Sequence, residues 1–192
     1  ACAPFRRLHL CDRNLENIND VKKIDTKDNL LLEVCLAAQY EGQSIRTQYK
    51  QKKDDYKSGL CTALARSFAD IGDIVRGKDL YRGDDKENIK LQNNLKQIFK
   101  EIYDKLDGKN GKAKDRYKDT ENYFQLREDW WDANRQEIWK AITCKVENAQ
   151  YFKDTCSGGK SHIDTHCHCI NGDVLTNFDY VPQYLRWFEE WA

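Results

Sequence analysis

The tightest constraint on this 192-residue chain is a set of apolar stripes at helical spacing. Leu60, Leu64, Phe68, Ile71 and Val75 step by 4, 4, 3 and 4, and Leu91, Leu95, Ile98, Ile102 and Leu106 repeat the pattern among Glu and Lys. Residues three and four apart share one helix face, so each stretch predicts an amphipathic helix that must rest on another. The run NLLLEVCLAAQYEG reads as a helix with Leu30, Leu31, Val34 and Ala38 inward and Gly42 placed to end it. Ser58 stands where a cap would precede the Leu60 stripe, and Gly77 where it would stop. Thr120 with Glu121 is read as the start of another helix, on which Tyr123, Leu126, Trp130, Ala133 or Asn134, Ile138 and Ala141 recur at threes and fours. Pro182 opens a final helix with Tyr184, Trp187, Phe188 and Trp191 on one side, a face that calls for a partner surface.

Composition agrees with a mainly α chain. Charged residues make up 33% and there are only two prolines, which suits solvated helices better than a many-turned sandwich. Lys plus Arg and Asp plus Glu are 32 each, so no global field draws nucleic acid, and any polyanion contact must be a local patch. No run reaches the ~18 apolar residues that span a bilayer, and a signal or anchor is expected outside these residues. Eight cysteines point to an oxidising, exported setting in which bridges staple the helices, and their spacing leaves the partners open.

Two stretches invite a chemical reading. In LREDWWDANRQEIWKAITC (126–144), Glu128, Asp129 and Asp132 beside Trp130 and Trp131 resemble a sugar-cleaving pair of acids. Such acids face each other across a substrate at about 5–9.5 Å, however, whereas these lie within a turn of one helix. The tryptophans fall in the apolar sector and Arg127, Glu128, Asp132, Arg135 and Gln136 mostly outside it, so a structural role fits better. In HIDTHCHC (162–169), with Cys156, the histidines and thiols could hold zinc, but C-x-C is a poor match to the usual knuckle. Bridged thiols fit better. No phosphate-binding glycine loop or nucleophile elbow occurs, and the reading is that of a chain that is not an enzyme and takes no cofactor.

The charged segments carry the rest. Segment 44–57 has five cations against two aspartates and reads as an exposed helix or loop, and 109–118 has five cations and one aspartate in a mobile loop. A solvated face explains such runs, and so does a sulfated-glycan site held by charge-assisted hydrogen bonds. The candidate residues are Lys109, Lys112, Lys114, Arg116 and Lys118, then Arg46, Lys50, Lys52, Lys53 and Lys57. On the Leu60 helix, Arg66, Asp70 and Asp73 are spaced for a helix-to-loop ion-pair cluster.

Four stretches in order, ACAPFRRLHLCDRNLENI (1–18), ARSFADIGDIVRGKDLY (65–81), LREDWWDANRQEIWKAITC (126–144) and DYVPQYLRWFEEWA (179–192), resemble the Duffy-binding-like domain, alpha class, of the malaria parasite's variant erythrocyte membrane protein 1. The resemblance spans essentially the whole chain and implies a disulfide-stapled helix bundle truncated at both ends. It divides the chain into the end of a first subdomain with the first bundle helices (1–57), a central bundle with a cysteine-rich connection (58–178) and the start of a next helix (179–192). It implies adhesion on the infected red cell through heparan sulfate-like glycans, blood-group sugars or complement receptor, in rosetting or cytoadherence, with exposure to host antibody and an adjoining cysteine-rich region. A structural spacer or antigenic decoy is the alternative, and a zinc-dependent enzyme a third. The four cysteines between DIGDI and PQYLRW look like the commoner alpha-zero type. The resemblance further implies that Cys61 ties to one of Cys167 and Cys169, Cys156 to the other, and Cys35 to Cys144, with Cys2 and Cys11 joined to each other or to residues elsewhere.

Overall fold

The computed structural model describes residues 2–11, 15, 27–51, 56–81, 85–106, 113–149, 151, 155–156 and 163–192. The described helices, in chain order, are α1 (Phe5–Leu8), α2 (Lys27–Gln51), α3 (Tyr56–Arg76), α4 (Asp85–Lys105), α5 (Ala113–Arg116), α6 (Phe124–Ile142) and α7 (Gln183–Trp191), with a 3-10 turn at Phe178–Tyr180. The helices α2, α3 and α6 pack mutually, α4 leans on α6, and the 3-10 turn and α7 seat on α3.

The stripes are the core. Leu60, Leu64, Phe68, Ile71 and Val75 are buried, as are Leu91, Leu95, Ile98 and Ile102. Trp131 and Trp139 are closed off at 0% and 1% exposure, and Phe68 lies between them with ring centroids 5.1 and 5.2 Å away. Trp130 meets Phe99 of α4 edge-on at 6.1 Å. The paired tryptophans therefore fasten α6 to both neighbours, and neither Trp130 nor Trp131 lines an open trough.

Gly42 does not end a helix. α2 runs on to Gln51, and a Cβ on Gly42 would stand 2.0 Å from the carbonyl oxygen of Ile142. The missing side chain lets α2 and α6 touch backbone to backbone. The continuing helix also buries Ile45 and Arg46, both expected on an exposed segment. Gly77 does stop α3: with φ +74°, its N–H bonds Ile74 O and the Lys78 N–H bonds Asp73 O, the paired closure of a left-handed glycine cap. Ser58 lies inside α3, which starts at Tyr56. The helix read from Thr120 begins at Phe124, because the Asp119 carboxylate accepts the N–H groups of Glu121, Asn122 and Phe124 and holds a turn ahead of it. Within the stretch expected as a mobile loop, Ala113–Arg116 form the short α5. Residues 107–112 lie outside the described residues.

Two disulfides close, Cys61–Cys167 and Cys156–Cys169, each with Cα atoms 5.6 Å apart. The first pins the polar connection after α6 to the buried face of α3, and the second closes a loop within that connection. Cys35 and Cys144 stay unjoined. Cys2 and Cys11 are not joined to each other either. With Cys156, Cys167 and Cys169 oxidised, the zinc reading loses its thiolates, and His168 Nε2 is bonded to the Thr143 hydroxyl at 2.6 Å.

Gly42→Ala supplies a first test. In an open helix that change stabilises by about 1 kcal/mol. Here it should destabilise by about 2 kcal/mol or more, read by urea denaturation, because the new methyl meets a backbone carbonyl. Peptide mapping without reduction should recover the 61–167 and 156–169 links and no 35–144 link.

Candidate functional site

The three acids of the opening α6 segment face three different partners. Asp129 binds Arg116 through two bonds of 2.6 and 3.0 Å and also accepts from Tyr117 and Gln125. The Arg116 bond holds its carboxyl down at about 2. Asp132 accepts the Tyr180 hydroxyl at 2.5 Å, and Glu128 pairs with Lys78 and, at 3.5 Å, with Arg76. No two of them oppose one another across a gap, so they form no acid–base pair. Among the described residues, no group of three or more His, Cys, Asp or Glu could hold a metal ion.

The cations separate by environment. Lys118 and Lys50 are exposed. Lys114, half-buried, places its Nζ 4.9 Å from the centre of the Tyr103 ring, a cation–π contact. Arg116 is exposed yet committed to Asp129, whose bond raises its pKa. Arg46 is 9% exposed and faces inward. Lys109, Lys112, Lys52 and Lys53 lie outside the described residues, as does the side chain of Lys57.

Sequence reasoning undervalued the buried charges. Asp70 is fully buried and receives Arg6 at 2.7 Å, Arg186 at 2.7 Å and the Gln183 amide at 3.2 Å. Arg186 also reaches Asp73 at 2.6 Å, and Arg76 reaches Asp73 at 2.9 Å. Arg7 and Gln183 converge on Asp79, while Ser67 accepts from Arg6 and donates to Glu41, which takes the Cys11 N–H. Arg66, expected to pair with Asp70, instead approaches Glu189 at 3.7 Å. This network clamps α1 and α7 onto α3. It also decides which side of α7 is inward: Gln183, Arg186 and Trp187 are buried, and Tyr184, Phe188 and Trp191 remain exposed. The expectation that the four aromatics share one buried side fails because the carboxylates on α3 select polar partners. Arg127, expected on the solvated face, is 1% exposed because it closes the carbonyls of Val75 and Ile74 at the end of α3. Burial holds its pKa down to about 10.

The arrangement is that of a disulfide-bridged helix bundle whose buried charges hold its elements together. The Duffy binding domain family profile matches residues 1–186, and the chain belongs to that family. The chain is 44% identical to the NTS-DBL1-alpha and CIDR-gamma double domain of PfEMP1 from Plasmodium falciparum varO strain, with a TM-score of 0.82 over 100% of this chain and 27% of that one. It is 37% identical to a PfEMP1 DBLβ domain solved bound to human ICAM-1, with a TM-score of 0.72 over 97% of this chain and 38% of that one. Among curated proteins it is 27% identical to the Duffy receptor beta form of Plasmodium knowlesi and 27% identical to the Duffy receptor of Plasmodium vivax (strain Salvador I). All of this chain aligns to each, yet it spans only 14% and 15% of their lengths. The family is one of receptor-binding domains of Plasmodium surface adhesins rather than of enzymes. Among the described residues, no helix is long and apolar enough to cross a membrane.

The two aspartates of α3 carry opposite pH signatures. Burial would raise Asp70, but the attraction of Arg6 and Arg186 overturns it and its pKa falls below the usual value. Its charge therefore stabilises the fold above about pH 4, and that stability is lost as pH falls through the lower folded pKa. Burial lifts Asp73 to about 6, only partly offset by Arg186 and Arg76. Ionised Asp73 thus costs stability above pH 6, and the cost is relieved between about pH 6 and 4. Urea denaturation should show Asp73→Asn losing this acid-side gain, of order 2–3 kcal/mol, while Asp70→Asn is destabilised most at neutral pH.

Proposed function

We propose that the chain is a host-cell adhesion domain displayed on the infected erythrocyte, contacting host red-cell or endothelial receptors and exposed to antibody. The observation that carries this reading is the likeness, along all of this chain, to part of the PfEMP1 NTS-DBL1-alpha and CIDR-gamma double domain at 44% identity. A packed interior, with its carboxylates and arginines paired internally, leaves contact with a partner to exposed loops and helix faces. Within that reading, a sulfated or carboxylated glycan is met by Lys109, Lys112, Lys114, Arg116 and Lys118, and Arg46, Lys50, Lys52, Lys53 and Lys57 are a second, separate cationic candidate. Lys and Arg meet such groups through charge-assisted hydrogen bonds weakened by salt.

The Arg116–Asp129 pair makes the proposal quantitative. Changing the five α5-region cations to Ser should bring elution from a heparin column to clearly lower salt. Asp129→Asn should move elution the other way by releasing Arg116, and unchanged elution in both variants would remove the site. A spacer or decoy role predicts no binding of the isolated chain to red cells or heparin under any of these changes.

A further inference from the structure

A cleft of about 290 Å³ opens where the end of α3 meets the start of α7. Its walls include Leu80, Tyr180, Val181 and Tyr184, and its floor holds Asp73, Arg76, Asp179 and Gln183. The polar floor is already satisfied from within. Arg76 donates to Gly72 O, to Asp73 and to Asp179 O, and pairs with Glu128. Asp73 takes Arg76 and Arg186, the Asp179 carboxylate takes Arg135 and Trp131, and Lys78 closes on Glu128 at the rim. Gln183 accepts the Leu80 N–H and donates to Asp70 and Asp79, and the Tyr180 hydroxyl donates to Asp132.

What the cleft offers a visitor is therefore apolar. Leu80 is 53% exposed, Tyr180 50%, Val181 37% and Tyr184 52%, so four large side chains stand open around a floor whose charges are neutralised by one another. A cation or polyanion entering here would have to break a closed ion pair and would gain no free counter-charge. The charge complement of such a cleft is an uncharged group. Its volume lies at the bottom of the range for small-molecule pockets, which suits one inserted side chain better than an extended ligand. The apolar surface continues outward along α7 through Leu185 at 46% and Phe188 at 73% exposure, as a protein contact around an anchor residue requires.

We propose that this cleft is a socket for a single uncharged aromatic or branched side chain projecting from a protein partner. The proposal rests on the adhesive reading for the partner's being a host protein. None of the cations around α5 lines the socket among the described residues, and it is preorganised, because its floor belongs to the clamp that seats α7. Anchor side chains in such pockets dominate binding while their surroundings exclude water.

The test uses the full chain and three small probes: N-acetyl-4-fluorophenylalanine amide, N-acetyl-lysine amide and N-acetylglucosamine. Fluorine NMR should show saturable binding of the aromatic amide, and ligand-observed NMR should show weaker binding or none for the other two. Tyr184→Ser and Leu80→Ser, both at exposed positions, should each weaken the aromatic amide about fivefold or more with circular dichroism unchanged. Phe188→Ser, outside the cleft, should leave it unaltered. Absence of aromatic-amide binding, equal or tighter binding of the lysine amide or the sugar, or indifference to the Tyr184 and Leu80 changes would each overturn the socket. Adhesion to red cells, measured separately on the same variants, shows whether the adhesive reading fails independently.

Discussion

The Asp70 carboxylate is the constraint around which the rest is arranged. A carboxylate fully out of water is costly, and this one is tolerated because Arg6, Arg186 and Gln183 arrive from two other elements to meet it. The same arginines then organise their neighbours: Arg6 reaches Ser67 and Glu190, and Arg186 reaches Asp73 and the carbonyls of Val181 and Phe178. A polar interior of this sort fixes one docking geometry for α1 and α7, where an apolar interior would allow sliding. Taking away one partner would leave the others buried and unmatched, so the cluster stands or falls as a unit.

The long helices were legible because their burial is periodic. The stripes at Leu60 to Val75 and Leu91 to Ile102 needed only the spacing of apolar side chains, and all of those residues face inward. Trp130, Trp131 and Trp139 were legible for the same reason. Gly42 was misread because a glycine that ends a helix and a glycine that lets two helices touch are the same letter, and only the backbone of Ile142 beside it distinguishes them. The inward face of α7 was misread because apolar periodicity ignores Gln183 and Arg186, which are buried by charge complementarity. Arg127 escaped for a related reason, since its partners are main-chain carbonyls on another helix.

The candidate site was legible only in part. A run of cations in the sequence says nothing about which are already engaged, and Arg116 shows the difference, being held by Asp129 thirteen residues away. Of the disulfides implied by the family resemblance, the two that join α3 and Cys156 to the 167/169 segment close, whereas Cys35 and Cys144 stay apart. The cleft beside α7 carried no motif at all. It arises from residues as distant in sequence as Leu80, Glu128 and Tyr184, assembled by the ion pairs beneath them.

The clamp has a further consequence at the level of the polypeptide's path. Arg6 binds Glu190, and the Trp191 indole donates to the Cys2 carbonyl, so the two flanks of the bundle meet at one corner. Residues near the two ends of the described sequence are therefore held by the same few bonds. A pull on either one is passed directly to the other and to the buried aspartate beneath them.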